Sequence, residues 1–123
     1  MPVALFLLDT NVVIGLLQGK TTILDLLSPR GIALENCAVS QITRMELFSF
    51  PGILPAEEKR ISALLAKLEV LMIDDDVEER AVKLRLRTRI KLPDAIIAAT
   101  ALAHNLELLT FDERLASSMK RSH

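Results

Sequence analysis

Tryptophan and tyrosine are absent from this 123-residue chain, four phenylalanines are its only aromatic residues, and it has one cysteine. A single thiol, Cys37, rules out an internal disulfide. Set in the apolar-edged stretch Asn36-Cys37-Ala38-Val39, it reads as a buried, inert group of a reducing cytosol. Charge of one sign is also missing. Fifteen Lys and Arg against sixteen Asp and Glu leave a net charge of −1, so nothing global argues for nucleic acid and any such argument must rest on local patches. No apolar run approaches a membrane span. Val3–Leu8 is interrupted by Asp9 and lacks a basic leader, so it reads as a strand and not as a signal peptide. Two histidines, His104 and His123, have no partners at zinc-ligand spacing; His104 reads as a last-turn helix residue favourable to the dipole. The expectation is one cytoplasmic domain over 1–123, long enough for a real core without staples.

What is present is an alternation. Half of the residues are apolar, dominated by Leu, Ile, Ala and Val. Short apolar runs at Val3–Leu8, Cys37–Ser40, Val70–Ile73 and Leu106–Thr110 predict strands buried on both faces. Between them the pattern predicts helices from about Thr10, over Thr22–Leu27, Thr43–Phe50 and Ala56–Leu68, from Asp74–Asp76 to about Arg89, from Asp94 to about His104, and after Asp112. Strands alternating with helices give an α/β class: a central parallel sheet of four to five short strands with helices on both faces.

Four carboxylates fall at the junctions. Asp9 follows the first strand, Glu46 and Asp94 sit in predicted first helical turns, and Asp112 precedes the last helix. Strand carboxyl ends share one edge of such a sheet, so these residues can converge, and converging carboxylates are tolerable around a hard divalent cation. Each also has a plain structural explanation. Asp9 and Asp112 suit helix N-caps. Thr43-Arg44-Met45-Glu46 spells a capping box, which taken singly is the favoured account of Glu46. Asp94 complements its helix dipole, although its helix, apolar nearly all round, implies that the carboxylate needs a partner.

The segments Leu7-Leu8-Asp9-Thr10-Asn11-Val12, Ser40-Gln41-Ile42-Thr43-Arg44-Met45-Glu46-Leu47, Leu92-Pro93-Asp94-Ala95-Ile96-Ile97 and Leu109-Thr110-Phe111-Asp112 occur in that order across almost the whole chain. Together they resemble the PIN-domain family, especially its VapC-type toxins. The resemblance implies a PIN-like fold and a Mg²⁺- or Mn²⁺-dependent endoribonuclease, the toxin of a type II toxin–antitoxin pair. Asp9, Glu46 and Asp94 match the family's core acidic positions, and Asp112 matches the more variable fourth. Thr10, Asn11 and Thr110 match small polar positions that support the site. Leu115-Ala116 stands where many of these toxins carry an Asp-Phe pair. The implied partners are an RNA substrate (tRNA or rRNA), a cognate antitoxin and a second copy in a homodimer, with no membrane.

Within that frame Asp9 and Asp94 are expected to bind the metal most directly, with Glu46 and Asp112 acting directly or through water. A cluster free of metal should contain at least one raised pKa. For RNA contact, Arg80, Lys83, Arg87 and Lys91 share a helical face with Arg85 and Arg89 alongside, but a solvated, charge-balancing face is favoured there. Arg44, Lys20 and Arg114 are the alternatives. Phe48, Phe50, Ile53 and Leu54 read as core packing, with an antitoxin groove as the family's alternative. The rival class is a catalytically silent PIN-like module that binds RNA or protein. An aspartate-based phosphotransferase would need Asp at Asn11, and a phosphoacceptor receiver would need an Asp pair after the first strand.

Overall fold

The computed structural model describes residues 3–120. Four parallel strands pair in the order β3-β2-β1-β4: β1 Phe6–Leu8, β2 Cys37–Ser40, β3 Glu69–Leu71 and β4 Glu107–Leu109. The strands are short because their neighbours are short. Before Phe6, among the described residues, Leu5 N–H bonds Asn36 C=O, Leu5 C=O accepts from Glu107 N–H and Val3 C=O accepts from the Asn36 side-chain amide at 3.2 Å, while Val3 and Leu5 stay exposed. The strand expected from Val3 therefore starts at Phe6. β2 runs over Cys37–Ser40, as the apolar run predicts. Cys37 is buried and its thiol is pushed up to about 11 by that burial, which keeps it protonated and inert.

Seven α-helices of the described residues cover the two faces of this sheet. On one face α1 (Thr10–Leu17), α2 (Thr21–Leu27), α3 (Gln41–Phe48) and α4 (Pro55–Leu65) pack Val12, Ile23, Leu47 and Ile61 against Leu8 and Val39. On the other, α5 (Asp75–Thr88), α6 (Leu92–Ala103) and α7 (Glu113–Lys120) pack Val77, Ala98 and Leu115 against Leu7 and Ala38. Leu7 and Leu8 point to opposite layers because side chains alternate along a strand. Both faces must be apolar, which is why the strands read as continuous hydrophobic runs. Ala98, Ala99 and Ala101 are fully buried, and their small side chains let α6 lie deep in its layer.

One helix start differs from the pattern. Ser40, not Thr43, caps α3: its hydroxyl accepts from Ile42 N–H at 3.2 Å. A Ser three residues upstream competes for the same role, and it wins because β2 ends there with extended backbone. The Thr43–Glu46 capping box is therefore not formed, and Glu46 lies in the second turn, not the first. Asp74 caps α5 as expected, accepting from Val77 N–H at 2.9 Å. None of the described helices is long and apolar enough to cross a membrane. His123 lies outside the described residues.

Candidate metal centre

Asp9 leaves β1 directly into α1. Its N–H bonds Leu109 C=O at 3.0 Å, extending the β1–β4 ladder by one residue and bringing it beside Thr110. The N-cap of α1 has no side-chain cap bond, so capping does not account for this carboxylate. Asp9 Oδ2 instead accepts the Thr110 hydroxyl at 2.7 Å, and Thr110 Oγ1 in turn accepts Asp112 N–H at 3.0 Å. Only 4% of Asp9 is exposed. Burial raises its pKa, and the Asp112 charge adds to the rise, against the hydrogen bonds from Thr110 and the Thr10 backbone.

Glu46 is tied to the same junction from the other side. Thr10 Oγ1 donates to Glu46 Oε1 at 2.8 Å and lies 2.8 Å from Thr43 Oγ1. A hydroxyl has one proton, so with Thr10 donating to Glu46 it is Thr43 that donates to Thr10. Thr43 is fully buried and cannot turn to water. The relay Thr43–Thr10–Glu46 therefore fixes the carboxylate across the α1–α3 contact.

Asp94 is the third residue of α6, half-buried beneath this edge. Its pKa is raised, first by burial and then by the charges of Asp9, Asp112 and Glu46 in turn; Lys91 pulls the other way. Asp94 thus feels the charge of the three other sequence-predicted carboxylates, and Asp9 that of Asp112. Asp112 keeps its structural duty as well: Oδ1 accepts from Arg114 N–H at 2.9 Å and Leu115 N–H at 3.3 Å, capping α7. Its second oxygen is not used by the cap.

Two depressions meet at Asp94. One, of about 420 Å³, is lined by Asp9, Asn11, Glu46 and Asp94 together with Ile14 and Phe50. The other, of about 310 Å³, is lined by Asp94, Asp112, Arg89, Lys91 and Arg114. Among the described residues no three Asp, Glu, His or Cys side chains stand close enough to share an ion directly. The donor set, all carboxylate oxygen, suits a hard ion that keeps most of its water and takes one or two protein ligands; it does not suit zinc or a closed cage.

The sequence reading took Thr43 for a cap and missed its relay; among the cations it named, the structure separates two groups. Arg80 and Lys83 are paired with Asp76 at 2.9 Å and Glu79 at 3.1 Å one turn earlier, which bears out the charge-balancing reading for that stretch. The cations beside the carboxylates are Arg89, Lys91 and Arg114. The Phe48–Leu54 cluster divides: Phe48 and Ile53 pack on the core, whereas Phe50 and Leu54 are exposed.

The PIN domain family model matches residues 6–118. Among solved structures, a toxin–antitoxin complex from Klebsiella pneumoniae is similar at 36% identity, covering 86% of this chain and 85% of that one, with a TM-score of 0.74. VapBC2 from Rickettsia felis, bound to a DNA fragment from its promoter, is similar at 20% identity, with 92% of each chain covered and a TM-score of 0.75. FitAcB from Neisseria gonorrhoeae is similar at 22% identity, with 94% of each covered and a TM-score of 0.74. No curated protein matches significantly.

Proposed function

Because the chain belongs to the PIN-domain family, we propose that it is a Mg²⁺- or Mn²⁺-dependent endoribonuclease, the toxin of a VapBC-like pair. The observation that carries this reading is the placement of Asp94 in the joint field of Asp9, Glu46 and Asp112, carboxylates from four separate junctions of the fold. Such repulsion has no structural purpose, and a bound cation relieves it.

Asp9 and Asp94 are the direct ligands in this reading. Asp9 is preset by Thr110, and Asp94 is carried on a helix anchored by buried Ala95, Ile97, Ala98 and Ala99, so neither needs reordering. A divalent ion held there supplies a water of lowered pKa and neutralises charge on the phosphate. Glu46, oriented by Thr10, and Asp112, oriented by its cap bonds, act through water molecules on the two sides of Asp94. Asn11, exposed beside Asp9, lines the Asp9–Glu46 depression.

The antitoxin is a separate chain of the pair, in keeping with the Klebsiella relative, which is a toxin–antitoxin complex. An apolar groove of about 200 Å³ lined by Leu17, Leu47, Ile53 and Ile61 shares Ile14 and Phe50 with the acidic depression. A segment lying in this groove would end at the carboxylates, so one partner could block both. A homodimer and a tRNA or rRNA target are what the resemblance implies, and a cytoplasmic location is the expectation drawn from the lone Cys37.

The rival reading is a silent PIN-like module that binds RNA or protein, against which the four retained carboxylates speak. Incubating antitoxin-free protein with total cellular RNA and Mg²⁺ or Mn²⁺ separates the two. Discrete fragments from wild type, absent with EDTA and from Asp9→Asn and Asp94→Asn, support the nuclease. Intact RNA throughout, from folded protein, leaves the silent module.

A further inference from the structure

The two depressions that meet at Asp94 differ in character. The Asp9–Glu46 side is walled by Ile14, Phe50 and Pro51, with no Lys or Arg. The Asp94–Asp112 side holds Arg89, Lys91 and Arg114. Among the described residues no salt bridge or side-chain hydrogen bond engages these three cations, which is equally true of Arg85 and Arg87; what sets the three apart is that they line one depression together with Asp94 and Asp112. Three cations gathered at one cavity beside carboxylates are placed to meet a ligand that is itself anionic.

Arg89 carries a second mark. It is the C-cap of α5 with φ 59°, a left-handed backbone that glycine adopts without strain and arginine does not. The chain turns there straight into Lys91, the N-cap of α6, three residues before Asp94. The left-handed turn alone calls for glycine at position 89; the guanidinium there suits the negative end of the helix dipole and also lines the depression.

We propose that Arg89, Lys91 and Arg114 form a phosphate subsite that holds the RNA backbone on the Asp94–Asp112 side of the metal centre. The proposal rests on the nuclease reading and fixes the path of the strand. The metal neutralises charge at the scissile phosphate only, so a neighbouring phosphate would otherwise face four carboxylates unaided. Three cations offset that repulsion on one side, and the strand runs over them away from the apolar groove.

The test is binding of a fluorescent single-stranded RNA to Asp94→Asn protein with Mg²⁺, against salt. It is repeated in Arg89→Gly/Lys91→Gln/Arg114→Gln and in the control Arg80→Gln/Lys83→Gln. The triple variant should bind at least tenfold more weakly, with a log–log salt slope shallower by about two, from roughly 0.7 per lost phosphate contact; the control should match its parent. Arg89→Gly alone should have an equal or higher Tm, which separates lost contact from lost fold. A triple variant that binds RNA like its parent overturns the subsite and leaves the nuclease reading standing. No RNA binding by the parent, with no cleavage by wild type, overturns both. A polyglutamate peptide measured in parallel gives the last outcome: affinity lost for the peptide but kept for RNA makes the patch an acidic-protein surface and overturns the RNA subsite.

Discussion

Thr110 donates a 2.7 Å hydrogen bond to Asp9 across 101 residues of sequence, and through it the last strand of the sheet sets the carboxylate that follows the first. Asp9 is nearly fully buried, so losing this donor leaves an anion without its side-chain partner in a desolvated place. Thr110→Val should destabilise the fold by about 1–3 kcal/mol, measured by urea unfolding. Thr110→Ser keeps the hydroxyl and should recover most of the loss.

The relay through Thr43 makes a different prediction, because its end point is Glu46. Thr43→Val keeps shape but removes the donor to Thr10. It should cost about 1 kcal/mol in stability and lower the cleavage rate more than a stability-matched core change such as Val39→Ala, since Thr10 would then be free to turn from Glu46. Equal rates in the two variants would show that the relay is structural only.

Raised carboxylate pKa values give the acid dependence its sign. For Asp9 and Asp94 the folded state holds the proton more tightly than the ordinary value of 3.8 implies. Their contribution is therefore most favourable below that value and is lost as pH rises through the raised folded values. Asp94→Asn should raise the metal-free Tm at pH 7, and the gain should vanish in acid below the ordinary carboxylate range. Scanning calorimetry from pH 3 to 7 measures both.

Gly15 tests how closely α1, which follows Asp9, must lie against α2. A Cβ there would stand 2.4 Å from Ile23 Cγ1 and 2.7 Å from Cδ1, and Ile23 is itself buried. Alanine gains about 1 kcal/mol in helix propensity, but overpacking of about 1–3 kcal/mol opposes it, and at 2.4 Å the clash wins. Gly15→Ala should lower Tm, and adding Ile23→Ala should relieve the clash, so that the double-mutant cycle is non-additive.

Much of this architecture is legible in sequence because parallel strands are buried on both faces and leave unbroken apolar runs. β2 is read that way to the residue, and the α6 helix, expected from Asp94, starts two residues earlier at Leu92. The four carboxylates are legible as a set, since strand-end geometry brings junction residues together whatever their separation. What escapes is the assignment of roles among equivalent chemistries. Ser40 and Thr43 both suit a helix cap, and only the end of β2 decides between them. Asp9 and Asp112 both suit caps, yet only Asp112 acts as one, because Thr110 engages Asp9. Likewise Arg80 is held by a local pair with Asp76 one turn earlier, whereas only tertiary placement brings Arg89, the C-cap of the same helix, beside the carboxylates.

The most direct test of the central claim is Mn²⁺ binding to antitoxin-free protein, followed by electron paramagnetic resonance, in wild type, Asp9→Asn, Asp94→Asn and the distant control Asp25→Asn. The account predicts a site in wild type and in the control, weakened at least tenfold by either of the other substitutions. Equal Mn²⁺ affinity in all four, or no binding in wild type, would contradict it.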